Sequence, residues 1–358
     1  KVSSLTYTTR SPDGLAITFV LKDDVHFSDG EKVTPDDVIF SFETLRNPGV
    51  DAARLANYFR DFDQAIKLDD RRVKFTLREK YFKSLETIGG MSVLPRHHYA
   101  FTDPAAFNRR RSDPLGSGPY VFERWDVGQQ IVLRRNENYW GPKPHLLKII
   151  FKMVLNETAA IQSLRAGDLD YMEPLPDQFL EMRADPTFTK GFQCLSLWTP
   201  DRGYFYIGWN EARPFFKDRR VRLAMTELVD RQAICQHLLS GMARIPTGPF
   251  SINSPQSDPS ITPWPFDPNH ARQLLAEAGW KDTNGDGILD KDGVEFRFRY
   301  MIVSGTALHT QIAKLVKDEA AKVGIDVVPD PYEWSVFIER LQNRDFDAVN
   351  LAWGGAIE

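Results

Sequence analysis

Apolar and polar side chains alternate along the first twenty positions, with a strong turn signal between two apolar stretches. The stretches "LTYTT" and "LAITFVL" are rich in β-branched and aromatic residues, and "RSPDG" separates them. β-Branched and aromatic side chains favour strands, whereas Pro, Asp and Gly favour turns. The pattern predicts a β-hairpin that turns at Pro12–Gly14.

The apolar spacing then changes to the three-to-four residue period of a helix. Thr34 suits the cap of this helix and Pro35 its first position, because a proline there loses no hydrogen bond. Four apolar residues follow at helical spacing and predict one buried face: Val38, Ile39, Phe42 and Leu45.

In the middle of the chain the pattern changes from a hairpin to an alternation of strand and helix. A hairpin is predicted to bend at Val127–Gly128, and the nearly continuous apolar run "LLKIIFKMVL" predicts a strand covered on both faces. "ETAAIQSLRAG" predicts a helix that ends at Gly167, and "DLDYM" predicts a further strand. This order predicts a βαβ unit with a parallel strand pair.

The last third repeats this alternation more clearly. A helix is predicted over 218–239, with an apolar face, and a second helix from Pro268 to Gly279. Strand patterns in "VEFRFRYMI", "IDVVP" and "FDAVNLAW" alternate with helix patterns in "TALHTQIAKLVKDEAAKVG" and "EWSVFIERLQN". The prediction is an open, doubly wound α/β sheet with its ligand near the carboxyl ends of the strands. That edge includes Val303–Gly305 and Trp353–Gly355.

Length and composition narrow the class of protein. A chain of 358 residues is too long for one ordinary core and indicates two or three domains. The formal net charge of -4 argues against nucleic-acid binding, and no apolar run is long enough to span a membrane. Two cysteines, Cys194 and Cys235, leave open whether they pair or remain free thiols.

The stretch "DTNGDGILDKDG" is similar to a calcium-binding loop. Oxygen ligands occupy four positions of the EF-hand spacing, which predicts a possible Ca²⁺ site formed by Asp282, Asn284, Asp286 and Asp290. The twelfth position carries glycine instead of the bidentate glutamate, and a strand follows instead of a second helix. An Asx-rich turn between a helix and a strand is the alternative interpretation.

Motifs that carry chemistry are missing from the sequence. There is no G-x-S-x-G elbow, no phosphate-binding loop and no H-E-x-x-H spacing, so we expect no enzyme activity and no cofactor beyond the possible calcium. Aromatic residues are the more suggestive feature, because rigid rings line ligand clefts as well as cores. Five aromatics lie in "SLWTPDRGYFYIGWN": Trp198, Tyr204, Phe205, Tyr206 and Trp209.

Three segments together resemble the extracellular solute-binding proteins of peptide and nickel ABC importers, family 5. The family's hairpin strand, F-x-D-G turn and T-x-x-D-V helix are similar to "LAITFVLKDDVHFSDGEKVTPDDVIFSFETL". Its G-T-G-P-Y hairpin and N-x-x-Y-W motif are similar to "LGSGPYVFERWDVGQQIVLRRNENYWG". Its P-F-x-D-x-R-V-R-x-A helix is similar to "PFFKDRRVRLAMTELVDRQAI", and the resemblance extends over nearly the whole chain.

The resemblance implies a periplasmic-binding-protein-like, two-lobed α/β clamshell of type II with an extra subdomain, truncated here at both ends. Residues 1–30 would belong to lobe I, 31–115 to an inserted subdomain, 116–208 to the return into lobe I and 209–358 to an incomplete lobe II. The family has a further N-terminal strand region and a long C-terminal portion after "LAWGG".

The resemblance also implies a function. We expect a monomeric, periplasmic or extracellular protein, with or without a lipid anchor, that captures oligopeptides or peptide-like solutes by lobe closure and docks on a membrane permease. Two alternatives remain open: a calcium-dependent hydrolase acting on glycans, and a sensing module with the same fold. A turnover assay separates the hydrolase from a binding protein.

The predicted ligand-binding residues are Trp353, Gly354, Gly355, Trp209 and Tyr206. In peptide-binding members of the family an aspartate three residues after the equivalent of Trp353 holds the ammonium group of the peptide. Ala356 occupies that position here, and Glu358 lies nearby in a different register. A buried ammonium group without a carboxylate is costly, so the usual mode of peptide binding is in question.

Overall fold

The computed structural model describes residues 5–110, 113–197 and 203–354. The chain divides into two compact units, Lys1–Val154 and Leu155–Glu358. The division falls inside the segment 116–208, which the resemblance assigns to a single lobe. The four-segment domain assignment stays a prediction.

Unit 1 contains seven strands and five α-helices among its described residues. Its elements are β1 (Leu5–Arg10), β2 (Ala16–Leu21), α1 (Pro35–Arg46), α2 (Ala53–Ala56), β3 (Phe62–Lys67), β4 (Arg72–Leu77), α3 (Ser84–Gly89), α4 (Arg96–Tyr99), α5 (Pro104–Arg109), β5 (Tyr120–Asp126), β6 (Gln130–Arg135) and β7 (Lys148–Lys152). They form an antiparallel sheet in the order β1-β2-β4-β3 and a second antiparallel sheet in the order β5-β6-β7.

The first hairpin and the helix after it form as the sequence predicts. β1 and β2 pair antiparallel across the Pro12–Gly14 turn, where Gly14 has φ of 72°. The backbone N–H of Thr34 donates to the carboxylate of Asp37 at 2.9 Å, which closes the first turn of α1. Phe42 lies in the core of this unit, 2% exposed, and Ile39 packs against that core.

The predicted βαβ unit is wrong. β7 pairs antiparallel with β6, and the residues 168–172 that the pattern assigned to a parallel strand form none. Leu169 and Met172 instead pack into a small cluster around Leu164 and Phe188. Tertiary packing therefore overrides the strand propensity of this short segment.

The prediction that β7 is covered on both faces is also wrong. Ile150 and Phe151, on opposite faces of β7, are 48% and 57% exposed. β7 lies at the edge of its sheet, and among the described residues nothing buries these two side chains. A continuous apolar run indicated a strand here, but not what covers it.

Unit 2 contains a four-stranded sheet, a two-stranded hairpin and eight α-helices within its described residues. Its elements are α6 (Glu157–Ala166), α7 (Pro176–Ala184), α8 (Pro186–Thr189), β8 (Tyr204–Trp209), α9 (Arg219–Glu227), α10 (Arg231–Ala233), α11 (Pro268–Glu277), β9 (Asp290–Lys291), β10 (Val294–Glu295), β11 (Arg297–Val303), α12 (Ala307–Ala321), β12 (Asp326–Tyr332), α13 (Trp334–Gln342) and β13 (Ala348–Trp353).

The sheet of unit 2 is open and carries helices on both faces. Its strand order is β12-β11-β13-β8; β11 runs parallel to β12 and β13, and β8 runs antiparallel to β13. Tyr300 of β11 lies in the core that α9, α11 and α12 cover. Met301, the next residue, lies in a second core on the other face with Phe337 of α13. This part of the chain therefore has the predicted doubly wound form.

The single helix predicted over 218–239 is divided into shorter pieces. α9 ends at Glu227, α10 begins at Arg231, and a π-helix follows over Ile234–Leu238. Asp230 causes the break, because its carboxylate accepts a hydrogen bond from the backbone N–H of Ala233 at 2.8 Å and caps a new helix. The residues predicted to form one apolar face are nevertheless buried: Val221, Met225, Leu228 and Val229.

Candidate functional site

The candidate site lies at the edge of the unit 2 sheet where the parallel strands end. β11 ends at Val303, β12 at Tyr332 and β13 at Trp353, and their parallel pairing brings these ends to one edge. β8 begins at the same edge, because Tyr204 lies opposite Trp353 in the antiparallel register. This is the edge at which doubly wound α/β folds bind ligands.

An aromatic patch, formed by Tyr204, Tyr206 and Trp353, covers the end of the β8–β13 pair. The ring centroids of Tyr206 and Trp353 are 6.2 Å apart and the rings are tilted by only 10°. The ring of Tyr204 lies 6.1 Å from that of Tyr206, at 53°. The register explains the contact, because Tyr204 pairs with Trp353, Tyr206 pairs with Leu351, and paired residues share a face.

The patch is partly open to solvent. Trp353 is 48% exposed, so much of its surface stays free although its ring stacks on Tyr206. Burial raises the pKa of the Tyr206 hydroxyl, and the neighbouring Tyr204 acts in the same direction. Tyr206 is therefore a neutral hydrogen-bonding group near pH 7, beside an exposed indole ring.

Gly203 fixes the backbone beneath this patch. A Cβ at position 203 would overlap the carbonyl oxygen of Trp353 and would lie 2.9 Å from the Cα of Gly354. Position 203 therefore has room for glycine alone, unless the backbone of Trp353 and Gly354 moves. Gly203 is not among the site residues predicted from the sequence, where its only signal is a glycine directly before a strand of aromatic residues.

The two glycines after Trp353 were predicted to permit close approach of a ligand. A Cβ at Gly354 would meet no atom of the described chain within 4 Å, so the protein's own packing does not require glycine there. Space beside the Gly354 backbone is consistent with the predicted approach, and this role stays a prediction. Gly355, Ala356 and Glu358 lie outside the described residues, as does Trp198.

A buried histidine lies on the other face of the same sheet edge. His309, in the first turn of α12, is 7% exposed, and its ring lies 6.2 Å from Phe205 in an edge-on contact. Its Nδ1 atom has no hydrogen-bond partner, and burial lowers the pKa of the imidazole. His309 is not among the site residues predicted from the sequence, where its signal is a single histidine on the apolar side of a helix pattern.

Trp209 does not join the aromatic patch. It pairs with Ala348 at the opposite end of β8, where its ring stacks on Phe216 at a centroid distance of 5.2 Å. Trp209 also contacts Phe298 edge-on and packs against the main core of unit 2. Of the predicted binding aromatics, the structure brings together Tyr206 and Trp353 only.

The aspartate loop is held by its own backbone N–H groups. Asp282 accepts hydrogen bonds from the N–H groups of Gly285 and Gly287, at 2.7 and 3.0 Å, and Asp286 accepts one from Ile288. Asp290 accepts from the backbone and hydroxyl of Thr283. Such bonds are those of the Asx-rich turn, and the calcium site stays a prediction.

Metal ligands, cysteines and long apolar helices are further features to consider in the described chain. Within residues 5–110, 113–197 and 203–354, no three His, Cys, Asp or Glu side chains form a group that could hold a metal ion. The thiols of Cys194 and Cys235 are free of each other. No helix in these described ranges is long and apolar enough to cross a membrane.

Known proteins of similar sequence share this fold. The oligopeptide-binding protein AppA of Bacillus subtilis is 35% identical over 355 residues, which are 95% of this chain and 63% of AppA. The structure of B. subtilis AppA in complex with a nonapeptide superposes with a TM-score of 0.87 at 32% identity, covering 98% of this chain and 70% of that one. NikZ from Campylobacter jejuni in complex with Ni(L-His) gives 0.85 at 25% identity, with 99% and 69% covered.

These similarities confirm the fold of a periplasmic binding protein and do not favour a glycan hydrolase. The chain spans 63% of the length of its curated relative AppA. The sequence profile of the bacterial extracellular solute-binding proteins, family 5 Middle, matches residues 4–357. The chain therefore belongs to the bacterial extracellular solute-binding proteins of family 5.

Proposed function

We propose that this protein is the substrate-binding component of an ABC importer and that it captures an oligopeptide or a peptide-like solute. The observation that carries the proposal is the stacked pair Tyr206–Trp353, open to solvent at the carboxyl edge of a doubly wound sheet. Membership of a solute-binding family and the likeness to AppA in complex with a nonapeptide support it.

The chemistry of the patch suits a peptide. A half-exposed indole offers a flat apolar surface to side chains of many shapes, and the neutral Tyr206 hydroxyl offers hydrogen bonding. Binding of this kind needs no reacting group, so the solute would leave chemically unchanged. The protein would function outside the cytoplasm with a membrane permease as its partner; lipid anchoring and a monomeric state belong to the same proposal.

Identification of the solute is the first test. Native mass spectrometry of the purified chain would detect a co-purified solute, and calorimetric titration with alanine peptides of two to nine residues would measure affinity for a defined series. We expect micromolar or tighter binding of at least one length, and recovery of the intact peptide afterwards. Cleavage of the peptide, or no heat at millimolar concentration for every length together with no co-purified solute, would overturn the proposal.

Ala356 gives a second, sequence-based test of the ligand class. An acidic residue at this position would offer a carboxylate to a peptide ammonium group, and an ion pair of this kind strengthens binding where water is excluded. We expect Ala356→Asp to bind free-N-terminus peptides more tightly, with no gain for N-acetylated peptides of the same sequence. Equal affinities of the two proteins for the free peptide would contradict this.

A further inference from the structure

One asparagine of the aspartate loop lies beside a backbone nitrogen with which its amide can react. Asn284 is the only asparagine of the sequence that a glycine follows. Asn284 and Gly285 are both exposed, between α11 and β9. Gly285 has φ of 82°, and a Cβ built on it would meet no atom within 4 Å. Neither a side chain at position 285 nor close packing therefore hinders the Gly285 nitrogen.

Three hydrogen bonds of the loop orient these groups. The N–H of Gly285 donates to Asp282 Oδ1 at 2.7 Å. The N–H of Asp286 donates to Asn284 Oδ1 at 3.0 Å, and Asn284 Nδ2 donates to Asp286 Oδ2 at 3.0 Å. An ionised carboxylate only accepts hydrogen bonds, so the last of these bonds assigns which end of the Asn284 amide is nitrogen.

These contacts suit an attack of the Gly285 nitrogen on Asn284 Cγ. The Asp282 carboxylate can take the N–H proton, because 2.7 Å lies within the reach of a general base. The Asp286 N–H can stabilise the negative charge that develops on Asn284 Oδ1, as backbone donors do in an oxyanion hole. The two reacting atoms belong to adjacent residues, so the reaction is intramolecular.

We propose that Asn284 is a site of spontaneous deamidation, through a succinimide ring formed with the backbone nitrogen of Gly285. The bond between this nitrogen and Cγ forms, and the N–H proton passes to Asp282. The Cγ–Nδ2 bond then breaks, and Nδ2 leaves as ammonia with that proton. Solvent water opens the ring at either carbonyl and leaves aspartate or isoaspartate at position 284. The net reaction consumes a water molecule and releases ammonia, without an oxidant or a reductant.

The product changes a contact that holds the loop. A carboxylate at position 284 replaces the amide that donates to Asp286, so two like charges face each other and repel. An isoaspartate also adds a methylene group to the backbone. We expect either product to loosen the turn, so the stability of the loop would decrease with the age of the protein. This inference does not depend on the proposed solute-binding function.

The test follows position 284 in the intact, folded chain at neutral pH. Peptide mapping by mass spectrometry measures conversion of the amide to a carboxylate, and a methyltransferase specific for isoaspartate identifies the branched product. Asn253, also exposed but followed by Ser254, is the control in the same digest. We expect Asn284 to convert about ten-fold faster than Asn253. Equal rates at the two positions would overturn the proposal.

Two variants test the role of each neighbour. Asp282→Asn keeps a hydrogen-bond acceptor but does not take the proton, so conversion should slow by about ten-fold. Loosening of the turn alone would speed conversion, so the direction of the change distinguishes a proton acceptor from a structural residue. Gly285→Ala should also slow conversion, because its side chain hinders closure of the ring. Conversion that is unchanged or faster in Asp282→Asn would contradict the proposed proton transfer.

Discussion

Gly203 lies directly against the carbonyl group of Trp353, and no side chain fits between them. We expect Gly203→Ala to separate the ends of β8 and β13, at a cost of about 1–3 kcal/mol in the free energy of unfolding. Thermal and denaturant unfolding would measure this loss.

The matched control for this variant is Gly248→Ala, in the same unit. A Cβ at Gly248 meets no atom within 4 Å, and its φ lies outside the left-handed region. We expect a change within about 0.5 kcal/mol there. Equal stabilities of the two variants would contradict a close approach of Gly203 to the carbonyl group of Trp353.

Trp353→Ala should weaken binding of whichever solute is identified. Removal of the indole eliminates the exposed part of the stacked pair, and central aromatic residues of binding sites are commonly worth about 2 kcal/mol, or roughly 30-fold in affinity. Calorimetric titration measures the change. Trp264→Ala is the control, because Trp264 is also about half exposed but lies in the loop before α11. A larger loss in the control than in Trp353→Ala would place the site elsewhere.

Tyr300 and Asn350 form a polar pair inside the core of unit 2. The Asn350 amide donates to the Tyr300 hydroxyl at 3.1 Å, and both residues are buried. Tyr300→Phe leaves the amide without a partner, so we expect a loss of about 1–3 kcal/mol. Adding Asn350→Leu should recover part of that loss, because it removes the unpartnered group. A double-mutant cycle with no coupling between the two changes would disprove the pairing.

The buried imidazole of His309 should make the stability of the folded state depend on pH. Burial lowers the pKa of its imidazole in the folded state below the ordinary value of 6.5. The unfolded chain therefore binds this proton more readily, and stability should decrease as pH falls below about 6.5. His309→Gln should reduce this loss between pH 7.5 and 5.5, whereas the exposed His237→Gln should not. Melting temperatures with the same pH slope in His309→Gln and the wild type would contradict the prediction.

Variants of Asp282 distinguish an Asx-rich turn from a calcium site in the aspartate loop. Asp282→Ala removes the acceptor for Gly285 and Gly287, both of which have positive φ, so we expect a loss of about 1 kcal/mol in EDTA as well as in calcium. Asp282→Asn keeps one acceptor and should lose less. The calcium interpretation requires a wild-type melting temperature that rises with added calcium, and no such rise in Asp282→Ala.

Local signals in the sequence determined most of the elements of this protein. The turn at Pro12–Gly14, the Thr34 cap and Gly279, with φ of 91°, mark element boundaries through the conformations that a few neighbouring residues prefer. Strand patterns in the sequence predicted β11, β12 and β13. Their alternation with helix patterns predicted the doubly wound sheet and the edge at which Trp353 lies.

Only the tertiary structure decided what depends on partners distant in sequence. The stack of Tyr206 on Trp353 follows from the β8–β13 register, and the requirement for glycine at 203 follows from the same pairing. The exposure of Phe151 depends on what packs against β7, which a continuous apolar run does not specify. Periodicity shows that a side chain tends to be buried, but burial itself is a property of the elements that come together around it.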